Sequence, residues 1–81
     1  MHPEPVVESG CRLDRMKPGQ SGVIVTVEGH GEDATRLREL GFVAGTWLEV
    51  LAQGSPLLLR VGDGRLGLSQ ELADAVRVLS L

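Results

Sequence analysis

Few side chains in this 81-residue chain are of the kinds that do covalent or metal chemistry: one cysteine, Cys11, and two histidines, His2 and His30. A nucleophile needs a base within reach and a third group to orient that base. His2 stands next to a proline and His30 between two glycines, and no strand–turn–helix pattern sets a serine or cysteine beside either. No catalytic residue is assigned, and an enzyme is not expected. Metal ligation asks for spaced donors, such as C-x-x-C, H-x-x-x-H or a carboxylate-rich loop. Cys11, His2, His30 and the Glu32-Asp33 pair match none of these spacings, so neither a metal site nor a cofactor site is assigned. His30 reads as an exposed loop residue. Glu32-Asp33 reads as a helix start, where acids meet the positive end of the macrodipole. Pro18, Gly19 and Gly22 resemble a phosphate loop only superficially, because the Lys-Ser/Thr ending and the following helix are missing. A plain turn is the better reading.

Trp47 is the more informative residue, and its position depends on the elements around it. Thr46–Ala52 and Leu57–Gly62 both alternate, and Gln53, Gly54, Ser55 and Pro56 join them as a four-residue loop. Pairing Ala52 with Leu57 sets Leu48 opposite Val61 and Val50 opposite Leu59, a wholly apolar face. The other face then sets Glu49 opposite Arg60 and Leu51 opposite Leu58, each such pair being worth ~0.2–1 kcal/mol. In this register Trp47, Leu51 and Leu58 face outward as one apolar patch, either covered by the tail or the helix or open to a partner, tryptophan being enriched at protein interfaces.

The remaining elements are short. Leu13–Lys17 leads into the Pro18-Gly19 turn, and Gly22–Glu28 is a β-branched run whose competing inward faces (Ile24 against its valine neighbours) a bulge would reconcile. Ala34–Leu40 is the helix, with Asp33 as N-cap, Leu37 and Leu40 on its inner face, and Arg36, Arg38 and Glu39 toward solvent. Gly41 ends it, and Phe42 folds back onto Leu37. Asp63-Gly64 is the hairpin signal, pairing Gly62 with Arg65, Val61 with Leu66 and Leu59 with Leu68. Ser69 caps a single turn over Gln70–Asp74, and Ala75–Leu79 closes as a last strand with Val76 and Val78 inward. About five short strands with one helix inserted after the first strand predict a mainly β fold, a small SH3-like barrel closed on itself. Residues 1–12 are expected as an irregular N-terminal tail and 13–81 as the domain.

Composition narrows the role. The net charge is −3; residues 1–33 hold 6 acids and 3 bases, whereas 34–81 balance at 5 and 5. An acidic chain with 2% aromatics is not built as a nucleic-acid binder. Uncharged stretches such as Val50–Leu59 reach ten residues, well short of the ~20 that span a bilayer, so no membrane insertion is expected. No charged segment leading into an apolar one opens the chain, so no secretory signal is expected. A lone cysteine favours a reducing compartment.

Taken in order, Leu13-x-x-Met16-x-Pro18-Gly19-x-x-Gly22 and Arg36-Leu37-x-Glu39-Leu40-Gly41-Phe42-x-x-Gly45-Thr46 resemble the FeoA family of ferrous-iron transport accessory proteins. Ser55-Pro56, Leu59, Val61, Leu66, Leu68, Ala73, Val76 and Val78 continue the likeness. The resemblance implies a cytoplasmic SH3-like barrel that acts by contact with a FeoB-like permease whose cytosolic part is a GTPase. It transfers no active site. A homo-oligomer is compatible with it. The alternative it offers is a peptide-binding or oligomerising regulatory module, like the C-terminal domain of metal-dependent repressors. Two positions depart from the family pattern: Ala44 where proline is usual, and Ser69 where arginine is common. The residues expected to meet a partner are Trp47, Leu51 and Leu58, with Arg36, Arg38 and Glu39 as a polar rim.

Overall fold

The computed structural model describes residues 10–29 and 31–81. Six antiparallel strands make one sheet: β1 (Cys11–Arg12), β2 (Ser21–Val27), β3 (Trp47–Ala52), β4 (Leu57–Val61), β5 (Gly64–Leu68) and β6 (Val76–Ser80). Their spatial order is β1-β6-β2-β3-β4-β5. The last strand therefore lies between the first two. Two short helices, α1 (Glu32–Glu39) and α2 (Gln70–Ala73), and a 3-10 turn over Leu13–Arg15 complete the elements.

One apolar cluster takes residues from β2 through β6: Ile24, Leu48, Val50, Leu57, Leu59, Val61, Leu68, Val76 and Val78. The sheet must curl for these inner faces to share a core. Leu13 and Met16 flanking the 3-10 turn, Leu37 of α1, Phe42 and Ala73 fill the same cluster. No charged or polar residue among those described is buried with them, so burial of apolar surface is what holds the sheet in its curl. The expected closure does not occur, because β5 and β1 are the two ends of the sheet and are not paired with each other. Cys11 and Arg12, at the end of the segment expected to be irregular, pair with Val78 and Arg77. Arg12 also reaches Asp14 at 3.2 Å and Asp74 at 3.0 Å, tying this two-residue strand to the end of α2.

Several local expectations hold. β2 carries its bulge between Ile24 and Thr26, so Gly22 and Ile24 are buried before it and Val27 packs on the core after it. Gly41, at φ +103°, follows the C-cap of α1. There the Phe42 N–H donates to the Leu37 carbonyl and the Gly41 N–H to the Arg38 carbonyl, both at 3.0 Å. This is the Schellman pair of bonds, and Phe42 and Leu37 are both fully buried beside it. The Ser69 hydroxyl accepts from the Leu72 N–H at 3.2 Å and starts α2.

Others are corrected. The helix begins at Glu32, two residues earlier than expected, with Gly31 as N-cap, so Asp33 lies inside the first turn and does not cap it. Ala34 rather than Leu40 joins Leu37 on the buried side, and Leu40 is exposed. In the β3–β4 hairpin, Leu48↔Val61, Glu49↔Arg60 and Val50↔Leu59 stand as expected, but a bulge at Leu51 pairs Ala52 with Leu58. The β4–β5 register is shifted by two: Val61 meets Gly64, Leu59 meets Leu66 and Leu57 meets Leu68. The turn is thus Gly62-Asp63, with Gly62 at φ +57°. The expected register would have run the hairpin on to Gln70, into the helix that Ser69 caps. The observed one lets β4 and β5 finish together.

Candidate functional site

The alternation of β3 buries Leu48 and Val50 and turns Trp47, Glu49 and Leu51 outward. Trp47 keeps 37% of its surface exposed and Leu58, on the outer side of β4, keeps 44%. The expected patch of Trp47, Leu51 and Leu58 is nevertheless two areas. Glu49 lies between Trp47 and Leu51 on the strand, and its Oε1 is 3.6 Å from Arg60 Nη1.

On one side of that ion pair, Trp47 is the lateral partner of Val23 in β2, and Val23 is the partner of Leu79 in β6. Side chains directly opposite in adjacent antiparallel strands share a face. Trp47, Val23 and Leu79 therefore make an apolar row across three strands, with Leu79 exposed. Sequence reasoning missed Val23 and Leu79 as members of this surface. Their outward orientation was readable from the bulge and from the inward Val76 and Val78, but the β2–β6 adjacency that joins them to Trp47 was not.

On the other side, Leu51 and Leu58 line a shallow depression of about 230 Å³ together with Arg65, Leu66 and Gly67. The α1 charges are elsewhere again. Arg36 and Glu39 border an open depression of about 480 Å³ with Gly31, Glu32 and Thr35. Arg38 lines a separate one of about 160 Å³ with Val25, Phe42 and Val43. The helix charges thus flank two different hollows and do not form one rim.

The residues considered for chemistry are scattered. His2 and His30 lie outside the described residues. Cys11 is a free thiol on β1, partly buried and packed against the core. Glu32 and Asp33 are exposed in the first turn of α1. Among the described residues, no three His, Cys, Asp or Glu side chains gather as a metal centre would need. Pro18-Gly19 is a turn in fact: the Gln20 N–H donates to the Lys17 carbonyl at 3.0 Å, and the Gln20 side chain accepts from the Lys17 N–H at 2.7 Å. The surface that β3 presents is apolar strand surface bordered by charge. No helix among the described residues is long and apolar enough to cross a membrane.

Comparison with known proteins places this geometry. The model of the FeoA domain matches residues 11–79. A curated relative from Leptolyngbya boryana, "Putative Fe(2+) transport protein A", is 34% identical over 71 residues, covering 85% of this chain and 87% of that protein. The solved FeoA of Stenotrophomonas maltophilia, complexed with zinc and described as a procaryotic SH3 domain protein, is 36% identical with a TM-score of 0.73, covering 82% of this chain and 86% of its own. An iron uptake regulatory protein (FeoA) solved by sulfur phasing is 29% identical with a TM-score of 0.83, covering 88% and 97%. A manganese-dependent transcriptional repressor shares the fold, with a TM-score of 0.82 at 18% identity over 93% of this chain and 45% of that one. The six-stranded sheet with its inserted helix is thus the SH3-like fold of these relatives, and the chain belongs to the FeoA domain family.

Proposed function

We propose that this protein is a cytoplasmic accessory module of ferrous-iron uptake that acts by docking on a FeoB-type permease, biasing its nucleotide or transport state without chemistry of its own. The observation that carries the reading is the apolar row Trp47–Val23–Leu79, exposed at Trp47 and Leu79 and half-buried at Val23, in a chain of a family with a relative that bears the name of an Fe(2+) transport protein. Tryptophans that anchor interfaces typically contribute ~2 kcal/mol or more to binding when truncated. Leu51 and Leu58 form a second apolar contact, and Arg36, Arg38 and Glu39 supply outlying polar ones.

The test is capture of the cognate permease, in detergent, on immobilised protein. Trp47→Ala is expected to weaken capture by at least about ten-fold while leaving the circular dichroism spectrum unchanged, because Trp47 is outside the core. Equal capture by wild type and Trp47→Ala, or no capture by either, refutes the reading. The repressor likeness supports a second reading at the level of fold, a regulatory module acting on another soluble chain. Retention of a DNA-binding repressor in place of the permease would favour it.

A further inference from the structure

The apolar row Trp47–Val23–Leu79 has one more strand beside it. β1 pairs with β6 so that Cys11 is opposite Val78 and Arg12 opposite Arg77. One step back along that register, Gly10 stands beside Leu79. A Cβ built on Gly10 would lie 3.2 Å from the Leu79 nitrogen, which places the glycine against β6 at the Leu79 end of the row. Gly10 has φ +68°, a left-handed conformation in which a regular strand does not continue. Residues 1–9 therefore join the described domain at the end of its apolar row. Val6-Val7 is the one adjacent pair of large apolar side chains among those nine residues. The row they adjoin is open at both ends, Trp47 keeping 37% and Leu79 52% of its surface.

We infer that this chain's own segment before Gly10 crosses the outer face of the sheet, with Val7 and Val6 covering Val23 and Trp47, and that a partner docking on the row must displace it. The distances fit. Neighbouring strands lie ~4.8 Å apart, so Val23 and Trp47 stand about 10 and 14 Å across the sheet from Gly10, two and three strand spacings away. An extended chain covers ~3.3 Å per residue, so Val7 and Val6, three and four residues before Gly10, reach about 10 and 13 Å. A tether this short holds the segment at an effective concentration on the order of mM. A second copy of the chain in ordinary solution is far more dilute, so the chain's own valines are the first occupant of the row. The segment is thus an autoinhibitory strap on the docking surface. Its regulatory consequence rests on the docking reading above; the cover itself does not.

Trp47 is the one tryptophan of the chain, so its fluorescence reports on the row alone. The experiment is acrylamide quenching of the full chain, of Val6→Asp/Val7→Asp and of the conservative Val6→Ile/Val7→Ile. The aspartate variant is expected to raise the quenching constant roughly two-fold and to shift the emission to the red, because quenching follows the uncovered fraction. The isoleucine variant is expected to match wild type. Permease capture by the aspartate variant should tighten roughly three- to ten-fold, since apparent affinity scales with the fraction of chains whose row is open. Equal quenching of all three proteins would overturn the inference. So would wild-type quenching that falls as protein concentration rises, which would make a second copy the cover. Raised quenching with no permease capture by any variant would remove the docking reading and keep the strap; unchanged quenching with capture intact would do the reverse.

Discussion

At the residue scale, Gly22 is a position where the fold leaves no room for a side chain. It lies in β2 where that strand meets β6, and a Cβ there would sit 2.5 Å from both the Leu79 carbonyl oxygen and a Val78 methyl. The backbone oxygen cannot swing aside as a flexible side chain could, so the strands themselves would have to part. Gly22→Ala is expected to destabilise the protein by about 1–3 kcal/mol, the usual cost of overpacking a tight contact. Thermal denaturation checks this, because each kcal/mol lowers Tm by ~4–8 °C in a domain of this size. The glycine was visible in the sequence as part of a turn-rich stretch. Its reason, the close approach of a strand from the far end of the chain, was not.

At the element scale, α1 shows how a short helix is stopped as firmly as it is started. Eight residues are too few to hold a helix in water on their own, so its packed residues and its exit must stabilise it. Leu37 is buried on the core, and the left-handed Gly41 lets Phe42 follow it there while closing two backbone bonds. A Cβ at Gly41 would meet only a Val61 methyl at 3.9 Å, an ordinary contact. Gly41→Ala therefore isolates the conformational cost of a side chain in the left-handed region, about 1–2 kcal/mol, and urea denaturation should show that loss with an unchanged slope. The sequence reading had this exit right, since Gly41 and Phe42 are local signals. It misplaced the start, because Glu32 and Asp33 serve equally as cap or first turn.

At the scale of the whole molecule, stability comes from one apolar cluster, with charge confined to the outside. The ion pairs Arg12–Asp14, Arg12–Asp74, Glu49–Arg60 and Glu28–Arg77 all involve side chains that keep 26–55% of their surface exposed. Pairs of this kind contribute little and are screened by salt. Raising NaCl from about 0.05 to 0.5 M should thus change the unfolding free energy by less than ~1 kcal/mol. A larger loss would mean that the charges, and the link from Arg12 to α2 in particular, hold the open sheet in its curl.

The sequence by itself determined where most of the elements from β2 onward lie, which residues of most of them turn inward, the bulge in β2, the end of α1 and the β3–β4 pairing from Leu48 to Val50, but neither β1 nor the start of α1. These are set by alternation, caps and turns, which act over a few residues. Only the tertiary structure decided that β6 enters between β1 and β2, that the sheet stays open, and that β4 and β5 pair two residues away from the register expected. A shift of two leaves every inward side chain inward, so the hydrophobic pattern cannot distinguish the two pairings. The same limit applied to the binding surface. Trp47 could be placed outward from its own strand, but its neighbours are Val23 and Leu79 rather than Leu51 and Leu58, because lateral adjacency between distant strands is settled by the packing of the core.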